Sequence, residues 1–265
     1  MKKIIFVLLS AIAFLQASAQ KLPTTQKGSV KAPVNFKIDG KADEWGNKFQ
    51  AYNKSTDFYY TIANTNDELY LIIQTKEIHV FNKIVDRGLT LSVKNPETGK
   101  AANFTFPTPV NNVINRRLST SLRGDMLLTS GKVAEADMIA NNKKLRDSHK
   151  FIKVEGVEGV DTVLSVYNEN GIRAAELFDN NRAYTLEMVI KLKLIGFSSG
   201  NVNKISYKLK VNPIDGFFKP DGREVFEEGM QPTPEEMVKL RAEVHLKAAK
   251  MFGGTDFEGE YTLAE

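Results

Sequence analysis

Hydrophobic and polar positions alternate along much of the chain. Phe58, Tyr60 and Ile62 alternate with Tyr59, Thr61 and Ala63, a period of two that predicts a strand with two distinct faces. Asn64-Thr65-Asn66-Asp67 is a turn cluster, and Leu69, Leu71 and Ile73 then point one way, so residues 58–75 read as a hairpin. Further strands are expected at 89–93, across Phe104 and Phe106, and at 163–167, 183–190, 205–211 and 260–263. Asn95–Gly99 and the pair Pro107 and Pro109 punctuate them, since proline cannot donate to a ladder. Half-polar strands at this spacing predict an all-β fold, an antiparallel β-sandwich of jelly-roll or immunoglobulin-like type.

Two stretches depart from that period. Residues 131–148 are polar and contain several alanines, which predicts a helical insertion. Residues 233–252 open with Thr233-Pro234-Glu235-Glu236, a capping box with proline at the first helical position, and stop at Gly253-Gly254. Met237, Leu240, Val244, Ala248 and Met251 form an apolar stripe expected to pack on the sandwich. Residues 20–34 are polar, with two prolines, and read as a flexible leader. Residues 35–265 read as one domain carrying both helical insertions.

The first residues change the picture of where the protein works. Lys2 and Lys3, the apolar run from Ile4 to Leu15 and the small-x-small triplet Ala17-Ser18-Ala19 have the organisation of a secretory signal over residues 1–19. The apolar run falls short of a membrane span. An exported chain, periplasmic, outer-surface or extracellular and not membrane-spanning after cleavage, is expected. The sequence contains no cysteine, which excludes disulfides, thiolate catalysis and Cys-ligated zinc. The formal charge of +4 includes the two signal lysines, and the remaining basic residues are dispersed. A nucleic-acid face would need a clustered basic stripe, so no nucleic-acid partner is expected.

Three segments, in order, resemble one family. Phe36-Lys37-Ile38-Asp39-Gly40-Lys41-Ala42-Asp43-Glu44-Trp45 resembles the entry strand of family 9 carbohydrate-binding modules and related DOMON-like domains. Asn64–Leu71 resembles their following hairpin, and Tyr184–Leu192 a late strand, with Lys191 standing where the family usually has proline. Lys83–Leu91 followed by Phe104–Pro107 is similar to a stretch of exported Bacteroidetes proteins. The resemblance implies the sandwich, with Asp39, Gly40 and Trp45 as its fold motif, and a glycan as ligand. In the family the Trp is a core residue, and the tryptophan-pair sugar clamp cannot be built from the single Trp here.

The residues themselves offer few chemical candidates. Trp45 follows a tight turn and is read as a buried plug in preference to a sugar platform. Tyr52, Tyr59 and Tyr70 are the alternative platforms, against the plainer reading that they pack within the sheet. Glu187 interrupts an apolar strand; it either faces a ligand groove or, the preferred reading, pairs with Lys208 or Lys210. His79, His149 and His245 are scattered, and neither a Gly-x-Ser-x-Gly elbow nor a phosphate loop occurs. No cofactor is expected beyond an optional structural calcium on Asp39, Asp43 and Glu44, or on Asp215 and Asp221.

The expectation is therefore an exported, non-catalytic binding module, with a glycan the partner implied by the resemblance. An envelope protein docked through the capped helix and a shallow-site glycan hydrolase using Glu187 are the alternatives.

Overall fold

The structure is a computed structural model that describes residues 21–34, 36–95, 99–108, 134–197, 203–214 and 233–265. The expected signal segment, residues 131–133 of the first helical insertion, and Asp215 and Asp221 lie outside the described residues.

Strands β1 (Ala51–Asn53), β2 (Phe58–Asn64), β3 (Glu68–Thr75), β9 (Tyr184–Lys191) and β8 (Ile172–Phe178) form one antiparallel sheet in that order. The second sheet runs β11 (Thr255–Thr262), β10 (Lys204–Val211), β4 (Leu89–Lys94), β5 (Ala101–Phe106), β6 (Phe151–Glu155) and β7 (Val163–Ser165). Every named strand pair is antiparallel. The inner faces share one core, in which Leu69, Leu71 and Ile73 of β3 lie with Leu91 of β4 and Leu209 of β10. Burying each such side chain contributes about 1.5–3 kcal/mol. Between the sheets the Tyr60 and Tyr207 hydroxyls meet at 3.0 Å, satisfying two polar groups that the core would otherwise strand.

The five-stranded sheet is covered on its other face as well. A second apolar cluster of Ala42, Trp45, Ala63, Tyr70, Ile72 and Val189 lies there. This explains why β2, β3 and β9 are apolar almost throughout, where a half-wet strand would alternate. The cover is the entry segment. Residues 36–50 form turns and no strand, a correction to the expected entry strand. The physical reason is that Gly40 and Gly46, with Asn47, take positive φ (82°, 61° and 53°), which bends the chain over the sheet instead of extending it.

Residues 21–34, read as a flexible leader, are hydrogen-bonded along β2. Buried Gln26 accepts from the Ile62 amide at 2.7 Å and donates to the Ile62 carbonyl at 2.8 Å, imitating a strand neighbour. Val30 and Ala32 bond the backbone of Asn64 in the same way. These contacts satisfy backbone groups of β2 beyond the short β1.

Among the described residues are three α-helices, α1 (Ile78–Arg87), α2 (Glu135–Ser148) and α3 (Pro234–Phe252), and a short 3-10 turn at Leu192–Ile195. Helix α1 was not anticipated, although Val80, Phe81, Ile84 and Val85 have helical spacing and are buried. The α3 capping box forms as expected, with the Glu236 amide donating to Thr233 Oγ1 and the Thr233 amide to Glu236 Oε2. Its stripe does not pack as expected. Only Ala248 is buried, and Val244 is 45% exposed. The helix meets α1 through its C-terminal end, where the buried Lys83 ammonium donates to the carbonyls of Lys250 and Gly253 at 3.2 and 3.1 Å. Among the described residues no helix is long and apolar enough to cross a membrane.

Candidate functional site

Register across the five-stranded sheet produces one continuous cross-strand row. Tyr52 of β1 lies opposite Tyr59 of β2, Tyr59 opposite Gln74 of β3, Gln74 opposite Thr185 of β9, and Thr185 opposite Leu177 of β8. Directly opposed residues share a face, so these five side chains line up on the outer face. The neighbouring rows are capped by the entry segment. Thr61 Oγ1, for example, accepts from the Gln50 amide at 3.1 Å, and Ile72 and Val189 belong to the second cluster. The Tyr52–Leu177 row is left as the floor of a trough.

Two adjoining concavities make up that trough. One, of about 450 Å³, is lined by Phe49, Tyr52, Tyr59, Asp57 and Glu77; the other, of about 470 Å³, by Asp43, Asn142, Leu177, Asp179 and Thr185. Asn47 and Gln74 line both. One wall is the entry segment, and the other at the β8 end is helix α2. That helix is anchored by Asn142, whose amide exchanges a donor and an acceptor bond with the backbone of Phe178.

At the aromatic end, Tyr59 is 43% exposed and its ring lies 4.7 Å from that of Tyr52, with Phe49 5.9 Å beyond. Tyr52 is held from its far end. Its hydroxyl donates to Asp57 Oδ1 at 3.2 Å, while Asp57 Oδ2 meets His79 Nε2 at 3.1 Å and the Lys250 ammonium at 3.6 Å. Burial, with Asp57's charge adding to it, raises the Tyr52 phenol above its ordinary value. Burial and the lysines Lys250 and Lys83 lower the His79 imidazole. At the centre of the floor Gln74 Nε2 donates to Thr185 Oγ1 at 3.0 Å, fixing the amide's orientation.

No family model, curated protein or solved structure matches the chain.

Of the sequence-predicted residues, Tyr52 and Tyr59 come together on the trough, and Tyr70 and Glu187 do not. Tyr70 is buried in the second cluster, edge-on to Phe36 at 5.0 Å and donating to Glu68. Burial and the Glu68 carboxylate push its phenol up. Glu187 is 1% exposed and pairs with neither Lys208 nor Lys210, a correction to the expected pairing. Those lysines belong to the other sheet, and Lys208 pairs with Asp256 at 3.2 Å. Glu187 instead accepts from the amides of Asp39 and Gly40 at 3.0 and 2.8 Å and from the Trp45 indole at 3.0 Å. Burial outweighs these three donors and raises its carboxyl to about 7. Asp39, Gly40, Trp45 and Glu187 are thus one structural unit that pins the entry segment to β9.

The calcium candidates do not converge. Asp39 binds the Lys41 amide and ammonium, Asp43 is exposed on the trough wall, and no group of three His, Asp or Glu side chains among the described residues is arranged to hold a metal. A second buried polar unit escaped the sequence reading altogether. His149 Nδ1 and the Tyr184 hydroxyl both bond the buried carboxylate of Glu176, joining the end of α2 to β8 and β9. Gln74, Asn47, Phe49 and Thr185 were missed as well. Gln74 did carry a signal, as a polar residue closing the apolar run Leu69–Ile73.

Proposed function

We propose that this protein is an exported, non-catalytic glycan-binding module whose site is the trough over Tyr52, Tyr59, Gln74 and Thr185. The observation that carries the reading is the exposed Tyr59 ring beside Tyr52 and Phe49, bordered by Asn47, Asp57, Gln74 and Glu77. Aromatic faces stack on the C–H surface of pyranoses, while amides and carboxylates around them serve the hydroxyls. The resemblance of Asp39–Trp45 and the two later segments to family 9 carbohydrate-binding and DOMON-like domains points the same way. It is the basis for placing the two sheets among jelly-roll or immunoglobulin-like sandwiches. Export rests on the residue 1–19 pattern.

The non-catalytic part of the reading is supported by how Glu187 is used. A carboxyl raised to about 7 suits general acid chemistry. This one is buried beneath the entry segment with three donors already on it, and it does not line the trough.

Affinity electrophoresis and calorimetry against a panel of soluble polysaccharides test the proposal. At least one should retard the protein, and Tyr59→Ala should abolish the retardation without unfolding it. A panel that leaves migration unchanged, or retardation untouched by Tyr59→Ala, would refute it.

A further inference from the structure

Resting on that reading, we infer that the trough takes the interior of a neutral glycan chain, several rings at once, and rejects anionic glycans. Length is the first ground. The floor row crosses all five strands, from Tyr52 through Tyr59, Gln74 and Thr185 to Leu177. Four inter-strand steps of ~4.8 Å give a floor of ~19 Å, longer than one pyranose. The two concavities adjoin through Asn47 and Gln74, so a chain lying on the floor has room on both sides of Gln74, with the aromatic pair toward one end.

The chemistry changes along the floor in a way that suits successive rings. At the Tyr52 end the offer is an aromatic face. At the centre the Gln74 side chain, which lines both concavities, is oriented by its bond to Thr185 Oγ1, and its amide supplies an acceptor oxygen as well. Beyond it the walls carry the exposed neutral amide of Asn180 and the apolar Leu177, while the Asn142 amide is taken up by the Phe178 backbone. Amides serve as both donors and acceptors, the requirement for sugar hydroxyls that do the same.

Charge is the second ground. Five carboxylates line the trough: Asp57, itself met by the Lys250 ammonium at 3.6 Å, and Glu77 at the aromatic end, and Asp43, Glu135 and Asp179 at the other. The cations lining it are Lys41 and Lys76. Lys41 is already paired with Asp39 at 3.5 Å. A uronate or sulfate laid along this floor would meet like charge at both ends, and juxtaposed like charges disfavour a partner strongly.

The test uses the full mature chain in calorimetry, with mixed-linkage β-glucan, galactomannan and arabinoxylan as neutral probes and polygalacturonate as the anionic one. For the neutral polymer that binds, affinity should rise along its oligosaccharide series from the monosaccharide upward, and borohydride reduction of the chain ends should change nothing. Gln74→Ala should weaken the longer oligosaccharides by about tenfold, the loss expected for one polar contact at the centre of the floor. Polygalacturonate should fail to bind wild type at low salt, and the exposed pair Asp43→Asn with Glu135→Gln should make its binding measurable. A monosaccharide binding as tightly as the polymer, dependence on an intact chain end, or wild-type binding of polygalacturonate would each overturn this inference while leaving glycan binding standing. Absence of binding by every polymer would remove both readings together.

Discussion

The Trp45 indole donates to Glu187 Oε1 at 3.0 Å, across 142 positions of sequence and from a loop to a central strand. The same carboxylate holds the Gly40 amide at 2.8 Å through its other oxygen. A single buried side chain therefore fixes both ends of the turn that covers the sheet and forms one wall of the trough.

That arrangement sets a pH dependence. The Glu187 carboxyl is raised from 4.5 to about 7 in the folded protein, so the folded form binds the proton more tightly than the unfolded chain. The resulting stabilisation is complete below about 4.5 and is lost as pH rises toward 7, of order 3 kcal/mol for a shift of this size. Urea denaturation at pH 5 and pH 8 should show wild type losing more stability than Glu187→Gln over that interval. Equal losses would show that Glu187 does not titrate in the folded protein as described.

Trp45→Phe keeps an aromatic ring against Phe36, which lies edge-on to the indole at 4.9 Å, but removes the donor to Glu187. Leaving one carboxylate oxygen short of a partner in a buried site costs about 1–3 kcal/mol. The urea midpoint should fall accordingly at pH 8, and by less at pH 5, where the protonated carboxyl needs fewer donors.

Gly40→Ala is expected to be worse than its size suggests. Gly40 has φ of 82°, and an added Cβ would lie 2.6 Å from the Glu176 carbonyl carbon and 2.8 Å from Leu177 Cβ. Left-handed strain alone is of order 1–3 kcal/mol. The backbone clash adds to it, so the loss in denaturation experiments should exceed that of Gly46→Ala, whose Cβ meets nothing within 4 Å.

The tyrosines should separate into two classes. Tyr59→Ala gives up ring contacts to Tyr52 and Phe49 at a half-exposed position and should cost only about 1–2 kcal/mol, while removing glycan retardation. Tyr70→Ala, which empties a buried site among Phe36, Trp45 and Val189, should cost about 3–5 kcal/mol.

Glu176→Leu should be severe as well. It strands His149 Nδ1 and the Tyr184 hydroxyl in the core, and each buried polar group left without its partner costs about 1–3 kcal/mol. Thermal melting should show a large fall, with near-ultraviolet circular dichroism reporting loosened tyrosine packing.

Several elements were legible in the chain because their causes are local. Strands β4 and β10 follow from alternation, since a pleated strand turns each successive side chain to the opposite face, and the 58–75 hairpin and β9 from apolar runs bounded by turn residues. The α3 start follows from a capping box whose partners are three residues apart. The buried reading of Trp45 rested on a similar local cue, a tight turn just before it. Strands β1, β6 and β8 were missed, being short or weakly patterned.

What the sequence alone determined, then, was strand character, a capped helix and the acidic Gly-containing turn. Only the tertiary structure decided that Glu187 serves that turn, that Tyr59 is exposed on the trough while Tyr70 is a core residue, and that five side chains from five strands form one floor. Alternation places a residue on a face but does not say which face is covered. Register between β3 and β9, more than a hundred residues apart, is set by how whole sheets pack. Neighbours at that distance leave no periodic trace in either strand.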